Sequence, residues 1–160
     1  MTAEKIVKGE NAPDFTLKDQ HGEEVHLSDL KGKNVLLSFH PLAWTSVCSE
    51  QMKSLERNTQ VFERLNTTAF GISVDSVPSK KAWAEHLEIV HTKLLSDFWP
   101  HGYTAQMYGI FREENGFSER ANILMDEDQR VVFVKVYPIS ELPDIEEIIE
   151  ILEQKRSALN

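Results

Sequence analysis

Apolar and polar residues alternate at Phe15 and Leu17 and again at Val25 and Leu27, on either side of the turn-forming stretch DQHG. That alternation predicts a small hairpin within PDFTLKDQHGEEVHLSDLKGK. NVLLSF is a continuous apolar run, as expected of a strand buried on both faces. Met52, Leu55, Thr59, Phe62 and Leu65 then recur at helical spacing, predicting one helix over about 46–66. TAFGISV reads as the next buried strand. A second helix starts near Ser76, a candidate N-cap, with Pro78 in its first turn and Trp83, Leu87 and Val90 on one face. KLLSD reads as a short strand, and ANILMD and RVVFVKV flank the polar turn EDQ as an antiparallel hairpin. A last helix begins around Pro143, with Ile145, Ile148, Ile149 and Leu152 as its apolar stripe. This order predicts an α/β sandwich, a central mixed sheet covered by helices on both faces, with a hairpin at the N-terminus.

Size and charge narrow the function. The chain has 160 residues, which predicts a single domain spanning 1–160 with a core that needs neither disulfide nor metal. A net charge of −9 without a basic stripe argues against nucleic acid and anionic membrane as partners. MTAEKIVKGE has no apolar leader core, and no run approaches the length of a membrane span. One cysteine cannot close an internal disulfide, so a cytoplasmic, reducing location is expected.

That cysteine, Cys48, lies in FHPLAWTSVC, just past the predicted NVLLSF strand. A lone free cysteine is ordinarily a small buried hydrophobe. Its position is less ordinary: it falls in the first turn of a helix at the carboxyl end of a central strand, where open α/β sheets carry their sites. Unpaired N–H groups and the helix dipole there favour a thiolate. On these grounds alone a reactive thiol and an inert one both remain open. Thr45 either caps the helix or points at whatever approaches the sulfur, and Pro41 terminates the strand. His40, next to the loop, could act as a base, but it is one of six histidines and most such residues are structural; His86 and His91 are spaced poorly for a shared metal, so no metal or other cofactor is expected.

Pro41, Thr45 and Cys48 form the pattern P-x-x-x-T-x-x-C directly after a strand. The chain resembles the peroxiredoxins, thiol peroxidases of thioredoxin-like fold, over nearly its whole length. APDFTLKDQHGEEVHLSDLKGKNVLLSF, GISVDS followed by Ala82–Trp83, and the segment from LLSDFWPHG to RVVF are similar to that family's segments, and Arg120 falls at its arginine. The resemblance implies a thioredoxin-like sandwich and assigns roles. Cys48 would be the nucleophile, Thr45 would hydrogen-bond the peroxide, Pro41 would shield the sulfur and Arg120 would hold the thiolate. Read from sequence alone, Arg120 would instead form a surface ion pair with Glu119 or Glu113. Thiolate formation by itself gives too little acceleration, because nucleophilicity falls along with basicity. Charge building on the departing oxygen would therefore have to be met by Arg120, the Thr45 hydroxyl and the N–H groups near Val47 and Cys48.

The chain departs from many family members in three places. It has no resolving cysteine, so an external thiol, small or thioredoxin/glutaredoxin-like, is expected to reduce the sulfenic acid. His40 replaces an aromatic residue, and Gln51 stands where a glutamate is common. The resemblance is nearest the AhpE-like or bacterioferritin-comigratory-protein-like branches, which implies a monomer or homodimer, with Trp44 and Phe98–Trp99 as candidate contact residues. The rival readings are a peroxide sensor and a thioredoxin-like binding module without efficient turnover.

Overall fold

A computed structural model describes residues 3–159; the first two residues of the segment read for a leader lie outside the described residues. The N-terminal hairpin is present as β1 (Thr16–Lys18) and β2 (Glu24–His26), paired Leu17 to Val25. Its turn is held by Asp19, whose carboxylate accepts from the N–H groups of His21 and Glu23. Next come β3 (Asn34–Phe39), α1 (Ser46–Arg57), α2 (Thr59–Arg64), β4 (Thr67–Ser73), α3 (Val77–Leu87) and β5 (Lys93–Ser96). The chain continues through α4 (Tyr103–Met107), a two-stranded ribbon of β6 (Phe111–Arg112) and β7 (Phe117–Ser118), β8 (Arg120–Met125), β9 (Val131–Tyr137) and α5 (Ile145–Ala158).

The main sheet has seven strands in the order β2-β1-β5-β4-β3-β8-β9. β3, β4 and β5 run parallel, and the other pairs are antiparallel, so the sheet is mixed. Every residue of β3 is buried, in keeping with its mostly apolar sequence and its place inside the sheet. Its side chains divide by alternation between two cores. Val35, Leu37 and Phe39 join Phe15, Ala105 and Tyr108 on one face, while Leu36 joins Met52, Leu55, Trp83, Ile148 and Leu152 on the other. Helices α1, α2, α3 and α5 therefore cover one face, and α4 with the N-terminal segment covers the other. Gly71 in β4 lets α1 sit close, since a Cβ there would fall 2.1 Å from Met52 Sδ.

Two boundaries differ from the pattern-based expectation. The helix predicted over 46–66 is two helices. At Asn58 (φ −108°, ψ 13°) the side-chain amide donates to the Ser54 carbonyl, and the Thr59 hydroxyl donates to the Glu56 carbonyl. These local side-chain bonds compete with the helical ladder. The α3 helix also ends before Val90: Glu88 takes a left-handed conformation (φ 59°), Ile89 is buried in Val90's stead, and Val90 is 74% exposed. Ser76 does cap α3, accepting from the Ser79 N–H.

Candidate active site around Cys48

β3 delivers the chain into the loop His40–Thr45 at the carboxyl end of the sheet. His40 continues the strand pairing, its N–H donating to the Ile72 carbonyl at 3.0 Å. Pro41 follows and is buried. Ala43 is fixed by an N–H bond to Asp75 Oδ2 (2.8 Å), an oxygen that also accepts from the Ser73 hydroxyl. Trp44 has φ 72°, a conformation costly for a bulky residue. Its indole donates to the Ser79 hydroxyl, and its ring packs 5.4 Å from that of His86. Thr45 occupies the N-cap position of α1 but makes no side-chain cap; its hydroxyl donates to the Leu42 carbonyl at 2.9 Å. The first N–H groups of α1, at Ser46, Val47 and Cys48, are left without an intrahelical acceptor.

Cys48 lies in that first turn with no solvent exposure, a free thiol facing the core. The antiparallel pairing of β3 with β8 sets Ser38 against Asn122 and Phe39 against Ala121, and so brings Arg120, the first residue of β8, beside the loop. Arg120 is 3% exposed. Its Nη1 donates to Cys48 Sγ at 3.2 Å and to Gln51 Oε1 at 2.8 Å, and its Nε donates to the Ile139 carbonyl at 2.9 Å. Arg120 is therefore buried and bonded within the core, not placed on the surface as sequence alone would have it. Arg112 takes Glu119 instead, at 3.3 Å.

Gln51, one turn beyond the cysteine, makes an uncharged bridge. Its Oε1 accepts from Arg120, while its Nε2 donates to Ser38 Oγ (2.7 Å) and to the Phe39 carbonyl (3.1 Å). Ser38 passes the chain on by donating to Asn122 Oδ1 at 2.7 Å. An amide serves here because it accepts on one side and donates on the other.

Pro41, Thr45, Val47 and Cys48 thus follow one another past the carboxyl end of β3, where the Arg120 side chain meets the Cys48 sulfur while the Thr45 hydroxyl is turned to the Leu42 carbonyl. The structure also gives His40 a different setting from the one expected and adds Lys80, which the sequence reading passed over. His40 is not an ordinary surface histidine: it is fully buried, and its Nε2 lies 2.9 Å from Lys80 Nζ of α3. Burial, then the Lys80 charge, hold His40 well below the usual imidazole range. Lys80 is itself fully buried, and burial pushes it down to about 7 against the opposing charges of Asp75, Cys48 and Asp97. Lys80 falls on the buried side of α3 with Trp83 and Ala84, and that spacing was the one signal available in the sequence. His86 and His91 serve elsewhere, His86 beside Trp44 and His91 against Glu56.

Comparison with known proteins gives the family of the chain. The sequence model of the AhpC/TSA family matches residues 8–134. The chain belongs to the AhpC/TSA family. It is 39% identical over 137 residues to the alkyl hydroperoxide reductase E of Mycobacterium tuberculosis, covering 85% of this chain and 89% of that one. It is 33% identical over 153 residues to a thiol peroxidase of Oceanobacillus iheyensis, covering 95% and 91% of the two chains. Among solved structures, the reduced 2-Cys peroxiredoxin of Plasmodium vivax superposes with a TM-score of 0.86 at 27% identity, covering 94% of this chain and 82% of that one. With its single cysteine, the chain is a one-cysteine peroxiredoxin of thioredoxin-like fold. No helix among the described residues is long and apolar enough to cross a membrane.

Proposed function

We propose that Cys48 is the peroxidatic nucleophile of a thiol-dependent peroxidase acting on hydrogen peroxide and organic hydroperoxides. The observation that carries this is the buried guanidinium of Arg120 lying 3.2 Å from Cys48 Sγ. A buried cation aimed at sulfur favours the thiolate and, as the reaction proceeds, the charge on the departing oxygen. The thiolate attacks the nearer peroxide oxygen. An S–O bond forms, the O–O bond breaks with its electron pair on the far oxygen, and protonation there gives water or an alcohol. Arg120, the Thr45 hydroxyl and the N–H groups of Val47 and Cys48 are the donors for that charge, and Pro41 keeps bulk water from the sulfur.

With no second cysteine, the sulfenic acid is returned to thiol by an external thiol, either a small cytosolic one or a thioredoxin/glutaredoxin-like protein. The chain works as a monomer or homodimer. Trp44, Phe98 and Trp99 are 51%, 51% and 81% exposed, apolar surface that a homodimer would cover, and sedimentation velocity distinguishes the two states.

Stopped-flow tryptophan fluorescence of the reduced protein with stoichiometric hydrogen peroxide tests the reading. Trp44 in the loop and Trp83, whose indole donates to the Ser49 hydroxyl at 3.2 Å, flank the thiol. The expected signal has a rate that rises with peroxide, far exceeds that of free cysteine and is absent from Cys48→Ser. Oxidation by mass spectrometry no faster than for free cysteine, with hydrogen peroxide and organic hydroperoxides alike, would refute it. Sustained peroxide consumption with added thiol separates an enzyme from a sensor.

A further inference from the structure

Behind Arg120, three buried polar side chains have no place in the chemistry described so far. Gln51, Ser38 and Asn122 are each 1% exposed. They form an unbroken chain of hydrogen bonds that ends on the sulfur. Ser38 Oγ lies 2.7 Å from Asn122 Oδ1, and Gln51 Nε2 lies 2.7 Å from Ser38 Oγ. Arg120 Nη1 then lies 2.8 Å from Gln51 Oε1 and 3.2 Å from Cys48 Sγ. The chain ties three elements together: Ser38 comes from β3, Gln51 from α1, and Arg120 and Asn122 from β8. The β3–β8 register sets Ser38 directly against Asn122.

The bonds of this chain run only one way. Gln51 Nε2 also donates to the Phe39 carbonyl at 3.1 Å. A reversed Gln51 amide would set its nitrogen against a guanidinium, which only donates, and its oxygen against a carbonyl, which only accepts. So Oε1 faces Arg120 and Nε2 faces Ser38. The Ser38 hydroxyl accepts from Nε2 and has one proton left to donate, which Asn122 Oδ1 takes.

Arg120 depends on such support. Its Nε is held by the Ile139 carbonyl at 2.9 Å, but its Nη1 is shared between Gln51 and the sulfur. A displacement of Gln51 therefore moves the donor that meets Sγ. Gln51 is a long side chain, and holding it in one rotamer costs conformational entropy. Ser38 and the Phe39 carbonyl supply the bonds that offset this cost.

We propose that Ser38 is a positioning residue for the peroxidase reaction: seated on Asn122, it fixes the Gln51 amide that holds Arg120 Nη1 against Cys48 Sγ. This rests on the reading of Cys48 as the reacting thiol. Ser38 does not touch the peroxide and acts through two other side chains. A donor already in place when charge develops on the departing oxygen needs no reorganisation at that moment, which is what a fixed Gln51 secures.

Two measurements test the proposal. The first is a double-mutant cycle on the second-order rate of oxidation by hydrogen peroxide, read by stopped flow. Ser38→Ala should slow wild type about tenfold, a coupling of ordinary size within one hydrogen-bond network. It should slow Arg120→Met by less than about twofold, because the guanidinium that it serves is gone. Ser38→Thr, which keeps the hydroxyl, should restore most of the rate. A folded Ser38→Ala within about twofold of wild type overturns the proposal. So does an equal loss in both backgrounds, or a folded Ser38→Thr as slow as Ser38→Ala. The second measurement uses reduced wild type labelled with 15N-glutamine. The Gln51 side-chain N–H protons should exchange with solvent far more slowly than those of the exposed Gln60. Exchange as fast as at Gln60 overturns the proposal, and this comparison decides alone if Ser38→Ala does not fold. Wild type reacting no faster than free cysteine would refute the peroxidase reading instead, a result separate from the exchange measurement.

Discussion

Replacing Arg120 with methionine removes the charge but keeps most of the side-chain volume. Three donated bonds disappear, to Cys48 Sγ, Gln51 Oε1 and the Ile139 carbonyl. Gln51 Oε1 belongs to a side chain 1% exposed, and losing its donor should cost about 1–3 kcal/mol of stability. The bond to sulfur is charge-assisted, and losing one donor that meets charge built up in the transition state costs about 10²–10³-fold in rate. The assay is the second-order rate of oxidation by hydrogen peroxide, from stopped flow, at neutral and at alkaline pH. Urea unfolding run alongside confirms that the variant is folded. Arg120→Lys should recover part of the rate but not the three-way geometry. A folded Arg120→Met within about threefold of wild type at both pH values would refute the assignment.

Thr45→Val should lower the peroxide rate by about tenfold or more while changing stability by less than about 1 kcal/mol, because the exposed hydroxyl bonds only the Leu42 carbonyl; Thr45→Ser should stay near wild type, and equal rates for valine and serine would refute a role for the hydroxyl. Glu56 ties down the 90–92 segment: burial opposes its ionisation, but bonds from the Val90, Thr92 and His91 N–H groups and the Thr92 hydroxyl outweigh it and hold the carboxyl at about 2 rather than its ordinary 4.5. Its folded value is the lower one, so its contribution is full above 4.5 and fades as pH falls through about 2. Glu56→Gln should therefore cost about 1–2 kcal/mol at neutral pH, after allowance for solvent screening, and progressively less as pH falls from about 4.5 through about 2; urea midpoints against pH check it. Cys48→Ser should fold normally and lose all peroxide-dependent fluorescence change, measured by stopped flow.

The sheet was legible because its central strand is an unbroken apolar run and its hairpins alternate around polar turns. The break at Asn58 was not, because Thr59 and Phe62 keep the helical period across it while two side-chain bonds to backbone end the ladder. Within the site, Pro41, Thr45 and Cys48 are close in sequence and their spacing carried the resemblance. Arg120 is 72 residues from the cysteine and was placed by resemblance alone; the pairing of β3 with β8 supplies the physical reason. His40 was noticed only as a departure and Lys80 was missed, because each is polar at a position where apolar neighbours hide it, and only the third dimension brings two such residues together. Gln51 was noticed as a departure, but its part in linking Arg120 to Ser38 depends on a donor and acceptor facing opposite ways, which no pattern of residue types displays.

The complete burial of Cys48 makes the active site a size filter in time as well as space. Under the proposed peroxidase reading, a bulky reductant reaches this buried sulfur only in a state that exposes it, so its effective rate is its intrinsic rate multiplied by the exposed fraction; an exposed fraction of about one part in a hundred slows it about a hundredfold. A second peroxide molecule is small and meets a weaker barrier. Recycling and over-oxidation to the sulfinic acid thus compete on unequal terms, and scarcity of reductant tips the chain toward irreversible loss.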